Sequence, residues 1–88
     1  MILGVYRGRA STRFGLIASR RVGNAVLRNR LRRRLREMVR LSMPQIQPGL
    51  WIVLVIRPAA GRANGDALRA EYVALGTRAA IFSQNKQS

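Results

Sequence analysis

The chain has 88 residues, 48% of them hydrophobic, and its 17 basic and 3 acidic side chains give a formal charge of +14. That size bounds it to one small domain with a modest core and strong self-repulsion, relieved when a polyanion or salt screens it. Cysteine and histidine are both absent, which excludes disulfides, thiolate zinc sites, Cys/His nucleophile pairs and imidazole acid/base chemistry.

Taken in order, Ile2 to Arg7 reads as a first strand, and Gly8 to Thr12 as a basic turn into a second strand from Arg13 to Ser19. Phe14, Leu16 and Ala18 share the face suited to a core, while Gly15, Ile17 and Ser19 share the other, where small residues admit a close approach. Asn24 is a good N-cap for a helix from Ala25 to Ser42 that Pro44 stops. On that helix Leu27, Leu31, Leu35 and Met38 form the expected apolar stripe. Pro48-Gly49 turns the chain into Trp51 to Ile56, a continuous apolar run rich in β-branched residues, expected as the middle strand, with Trp51 in core or cap packing favoured over an indole stacked on a base. After a polar loop, Asn64 or Asp66 caps a last helix whose buried stripe is expected to be Leu68, Tyr72, Leu75, Ala79 and Phe82. Residues 1–82 thus read as a single domain and 83–88 as a frayed tail. The order β-β-α-β-α predicts an α+β two-layer sandwich, a small sheet of three strands, or four, with two helices on one face. The other sheet face is left open for a ligand or partner.

Charge concentrates in one place. Between Arg20 and Arg40 lie nine arginines and one acid, Glu37, so intrahelical pairing cannot neutralise the helix and a partner must supply negative charge. Arginine outnumbers lysine sixteen to one; its planar fork pairs bidentately with phosphate and stacks on bases, which favours structured nucleic acid over a diffuse anionic surface. Glu37, Asp66 and Glu71 are scattered and each suits an ordinary helix role, so a protein-borne two-metal nuclease centre is not expected. Ser19 has neither histidine nor a neighbouring acid to activate it. The apolar run Leu50 to Ile56 is too short for a membrane span, the N-terminus lacks a signal-peptide pattern, and the cytoplasm is the expected compartment.

Phe14-Gly15-Leu16, the segment Ser19-Arg20-Arg21-Val22-Gly23-Asn24 with the helix Arg28-Asn29-Arg30 that follows, and the later Val55-Ile56-Arg57-Pro58-Ala59 closely resemble the signature of the protein subunit of bacterial ribonuclease P. The resemblance implies the noncatalytic subunit of an endoribonuclease, a hydrolase in which a large RNA carries the magnesium ions and removes the 5′ leader from precursor tRNA. It implies no catalytic residue, no metal and no cofactor bound by the protein alone, with ribonuclease P RNA and precursor tRNA as partners and neither membrane nor DNA. On the motif that faces the catalytic RNA fall Arg20, Arg21, Asn24, Arg28, Asn29, Arg30, Arg32, Arg33 and Arg36. Arginines suit phosphate oxygens, and Asn29 can both donate and accept. The resemblance also implies a left-handed β-α-β crossover, against the general handedness rule.

Members of that family begin with a further helix and short strand whose aromatic residues wall a cleft for the leader, and this sequence opens after them. The cleft is therefore expected to be incomplete, its floor the sheet face with Gly15, Ile17 and Ser19, and with Arg13, Tyr6 and Arg57 nearby. The alternative is a ribosomal or RNA-chaperone type basic protein, distinguishable by binding spread evenly over many RNAs. A membrane-surface helix is disfavoured because the apolar stripe is needed for the core, and a helix-turn-helix because strands flank the basic helix.

Overall fold

The computed structural model describes residues 1–83. It contains β1 (Ile2–Tyr6), β2 (Arg13–Ala18), α1 (Ala25–Ser42), β3 (Trp51–Ile56) and α2 (Gly65–Arg78), with short 3-10 turns at Arg20–Val22, Met43–Gln45 and Pro58–Arg62. The sheet order is β1-β3-β2, so the most apolar strand is central, as its composition requires. β3 pairs antiparallel with β1 and parallel with β2, and α1 is the crossover that parallel neighbours need.

Strand alternation assigns the two faces. Val5, Ile52 and Phe14 form one row across the sheet and Leu3, Leu54 and Leu16 the next; these side chains meet the helices. Leu31, Leu35 and Val39 of α1 and Leu68 and Tyr72 of α2 close the core from above. Each fully buried Leu of this kind contributes about 1.5–3 kcal/mol of transfer free energy. Tyr72 is buried yet satisfied: its hydroxyl lies 2.7 Å from Ser42 Oγ, and burial pushes its phenol pKa up.

Several boundaries and stripes differ from expectation. β1 stops at Tyr6 and β2 at Ala18, leaving Ser19 as the extended residue ahead of the Arg20–Val22 turn. The stripe of α1 is centred on Leu31, Leu35 and Val39, with Leu27 and Met38 half-buried, because the helix packs on the sheet as well as on α2 and needs a wider apolar arc than one line. α2 ends at Arg78, short of the expected Phe82. Ala80 takes a φ of +58°, which reverses the chain so that Ile81 is buried and Phe82 bridges Ile46 antiparallel. Phe82 then meets Tyr72 edge-on at 6.0 Å between ring centroids, a favourable aromatic geometry reached from outside the helix. Gly76, not Leu75, is the third buried position of α2. Ser83 donates its backbone N–H to Gln45; the rest of the expected frayed tail lies outside the described residues.

Candidate nucleic-acid interface

Helix α1 begins where local chemistry allows. Asn24 is extended, and its Oδ1 accepts the Leu27 N–H at 2.9 Å while its carbonyl accepts from Arg28, which caps the first turn. Asn24 is thereby committed to holding the helix end, which fixes the direction of the arginines that follow. Arg28 is half-buried and donates from Nη1 to the Gly23 carbonyl at 2.9 Å. Arg20 and Arg21 stand exposed on the preceding turn.

At 100° per residue Arg28, Asn29 and Arg30 cannot converge on one point, since Arg28 and Arg30 fall on opposite flanks with Asn29 outward between them. Arg28, Arg32 and Arg36 instead make a ladder at i, i+4, i+8 on one flank. Arg32 reaches Asn29 Oδ1 at 3.5 Å, and Arg33 and Arg36 are exposed. The other flank faces α2, where Arg33, Arg34, Glu37, Met38, Asp66 and Arg69 line a groove of about 380 Å³. Arg34, which the motif reading leaves aside, belongs to this groove.

Among the described residues the ion pairs are Arg40 with Glu37 and the Met1 amine with Glu71. Of the nine arginines from Arg20 to Arg40, only Arg40 therefore has a carboxylate partner within the described residues. Its hydrogen bonds hold the Glu37 carboxyl below the usual carboxylate range, and Glu37 in turn raises Arg40. All three side-chain carboxylates sit on the two helices, so the sheet face is left uniformly basic in its ionic groups.

That open face is built in rows. Tyr6, Trp51 and Arg13 are register partners across the three strands; Gly4, Val53 and Gly15 make the next row; Ile2, Val55 and Ile17 make the third. The middle row is low, because a Cβ at Gly4 or Gly15 would meet nothing within 4 Å. The expected cleft residues thus separate into two ends. Ile17, Ser19 and Arg57 join Arg21 and Val55 around a cavity of about 330 Å³. Arg13 and Tyr6 lie at the other end, about 13 Å from the Ile17–Val55 row at 3.3 Å per strand residue, and Gly15 lies between the two ends.

Trp51 departs from its expected packing role. It is 41% exposed on the open face, and the Arg9 guanidinium carbon stands 4.3 Å from its ring centroid, within cation–π range. The strand run Trp51 to Ile56 is apolar at every position, so polarity gave no alternation to read. The signal that would have found Trp51 was parity: Ile52, Leu54 and Ile56 needed the core, which sends Trp51 outward.

No helix among the described residues is long and apolar enough to cross a membrane, and those residues hold no cluster of three His, Cys, Asp or Glu side chains fit to bind a metal. Fold and site together define a small basic α+β protein that displays an arginine helix beside a bare sheet face. The chain matches the Ribonuclease P family over residues 1–80, and it belongs to that family. It is 36% identical over 75 residues to the ribonuclease P protein component of Syntrophomonas wolfei, covering 85% of this chain and 63% of the relative. It is 42% identical over 73 residues to that of Symbiobacterium thermophilum, covering 83% and 64%. The chain thus spans a little under two thirds of the length of these relatives. Among solved structures, the RNase P protein of Thermotoga maritima superposes with a TM-score of 0.75 at 27% identity, over 86% of this chain and 74% of that one. The Staphylococcus aureus RNase P protein shares the fold with a TM-score of 0.83 at 23% identity, over 92% and 75%.

Proposed function

We propose that this chain acts as the protein component of ribonuclease P, docking on the catalytic RNA through α1 and supporting removal of the 5′ leader from precursor tRNA. The observation that carries the reading is the imbalance on α1: a capped, core-anchored helix displays arginines around more than half its circumference and neutralises one of them. Such a surface is stabilised by contact with a polyanion, and arginine forks are suited to phosphate. Arg20, Arg21, Arg28, Asn29, Arg30, Arg32, Arg33 and Arg36 supply the contacts, with Asn24 holding the helix end. Among the described residues no acid, base and nucleophile converge on one point, and we assign the hydrolysis and its magnesium ions to the RNA.

The open sheet face is the natural seat for the leader, because a single strand can lie on a flat basic surface that a duplex cannot match. Cleavage of precursor tRNA by a bacterial ribonuclease P RNA at limiting magnesium, with and without this chain, tests both parts. Stimulation that grows with leader length supports the reading in full. Equal stimulation of leaderless substrate confines the protein to scaffolding the RNA. Tight binding to many RNAs without stimulation would overturn the assignment in favour of a general RNA chaperone.

A further inference from the structure

The end of the open face farthest from Arg21 and Arg57 carries an arrangement that docking on the catalytic RNA does not use. Trp51 opens the central strand, and its register partners on that face are Tyr6 and Arg13. Arg9 lies over the indole, and its backbone is fixed there. Its N–H donates to the Gly49 carbonyl at 3.0 Å, and the Gly49 N–H donates to Thr12 Oγ1 at 3.0 Å, whose own hydroxyl donates to Gln47. Gly49 has a φ of +78°, and a Cβ there would stand 2.9 Å from the Arg9 carbonyl oxygen. Only glycine permits that turn to close on the Arg9 loop.

We infer that Trp51 and Arg9 form a nucleobase-stacking subsite for single-stranded RNA, with Arg9 and Arg13 available to the flanking phosphates. Three features of the surface select this occupant. An exposed indole beside an exposed phenol is a platform for a base taken out of its helix. In the neighbouring row, Gly4 and Gly15 leave room on either side of Val53 for a sugar-phosphate backbone to pass at contact distance. No side-chain carboxylate lies on the face to repel it, whereas Arg9 and Arg13 attract it. A duplex keeps its bases stacked on one another and cannot offer a π-face to Trp51. Because every base has such a face, the subsite reads single-strandedness and discriminates weakly among bases. It rests on the reading that the open face seats the leader, and it places a second contact about 20 Å along the strand from Arg57 at the other end.

Trp51 is the one tryptophan of the chain, so its fluorescence reports the site directly. The full chain is titrated with a short single-stranded oligoribonucleotide and, separately, with the same sequence annealed into a duplex. Quenching by the single strand and little by the duplex is expected. Anisotropy of the labelled oligonucleotide then compares Trp51→Phe, Trp51→Leu, Arg9→Ala and Arg9→Lys, with circular dichroism confirming that each is folded. Trp51→Leu should weaken binding roughly 5- to 150-fold, the range for loss of one base stack. Trp51→Phe should retain most of the affinity. Arg9→Lys should behave like Arg9→Ala, since the ammonium keeps the charge and loses the plane. Absence of quenching at saturation, or parental affinity in Trp51→Leu and both Arg9 variants, would overturn the subsite even if the chain stimulates cleavage. Quenching and variant losses without stimulation of cleavage would keep the subsite and remove the ribonuclease P role.

Discussion

Individual arginines on α1 carry different duties. Arg28 is half-buried and hydrogen-bonded to the Gly23 carbonyl, whereas Arg36 is exposed and Arg32 makes one long contact to Asn29. Arg28→Ala should therefore lower stability by about 1 kcal/mol, the worth of one such hydrogen bond, as well as weaken RNA binding. Arg32→Ala and Arg36→Ala should not lower the urea midpoint and should weaken binding, each lost phosphate contact flattening the dependence of log K on log salt by about one unit. Filter binding over a salt series checks this, with Asn29→Ala as a variant that weakens binding with little change of slope. Identical slopes in the parent, Arg32→Ala and Arg36→Ala would remove this flank as a phosphate-binding ladder.

At the level of elements, the helix and strand positions were legible because their punctuation is strong: Asn24 caps, Asn64 proves to be the cap of the pair Asn64 and Asp66, Pro44 and Pro48-Gly49 interrupt, and Trp51 to Ile56 has no polar residue to place it at an edge. The basic helix was legible for the same reason, its leucines being spaced for burial beneath the arginines. Less visible were features set by tertiary context. Ala80 at positive φ has no glycine or asparagine to advertise it, so the apolar spacing alone carries α2 on to Phe82. The platform at Trp51 depends on Arg9, brought close by Gly49 from forty residues further along the chain. Nor does sequence show that Tyr72 of α2 clasps Ser42 at the end of α1. That clasp predicts a pH dependence. Burial raises the Tyr72 phenol above its ordinary value, so the stability it contributes is fully present below about pH 10, the unfolded value, and is lost as pH rises through the folded one. Urea midpoints measured from pH 8 upward should fall on the alkaline side in the parent, and Tyr72→Phe should fall less steeply. An equal decline in both would show that another group governs the alkaline limb.

For the whole molecule, the decisive fact is a charge of +14 on 88 residues whose only side-chain carboxylates lie on the helices. Repulsion among the arginines of α1 and around the sheet face opposes the compact state, and an anion bound to the folded chain relieves it. Screening acts first: at 0.1 M salt the Debye length is about 10 Å, comparable to the spacing of arginines across the helix, so the thermal midpoint should climb with salt in the low range. Specific binding adds to this. An RNA present at a hundred times its dissociation constant, bound to the folded chain alone, stabilises by about 2.7 kcal/mol. For a domain of this size that corresponds to a rise in Tm of roughly 10–20 °C. Calorimetry with and without ribonuclease P RNA, at a salt concentration where screening has levelled off, separates the two contributions. In an Arg32→Ala/Arg36→Ala double variant the salt-driven climb should be shallower and the RNA-driven shift should shrink, since both depend on the charges of α1. A full-sized RNA shift in that variant would place the stabilising contact on the sheet face instead.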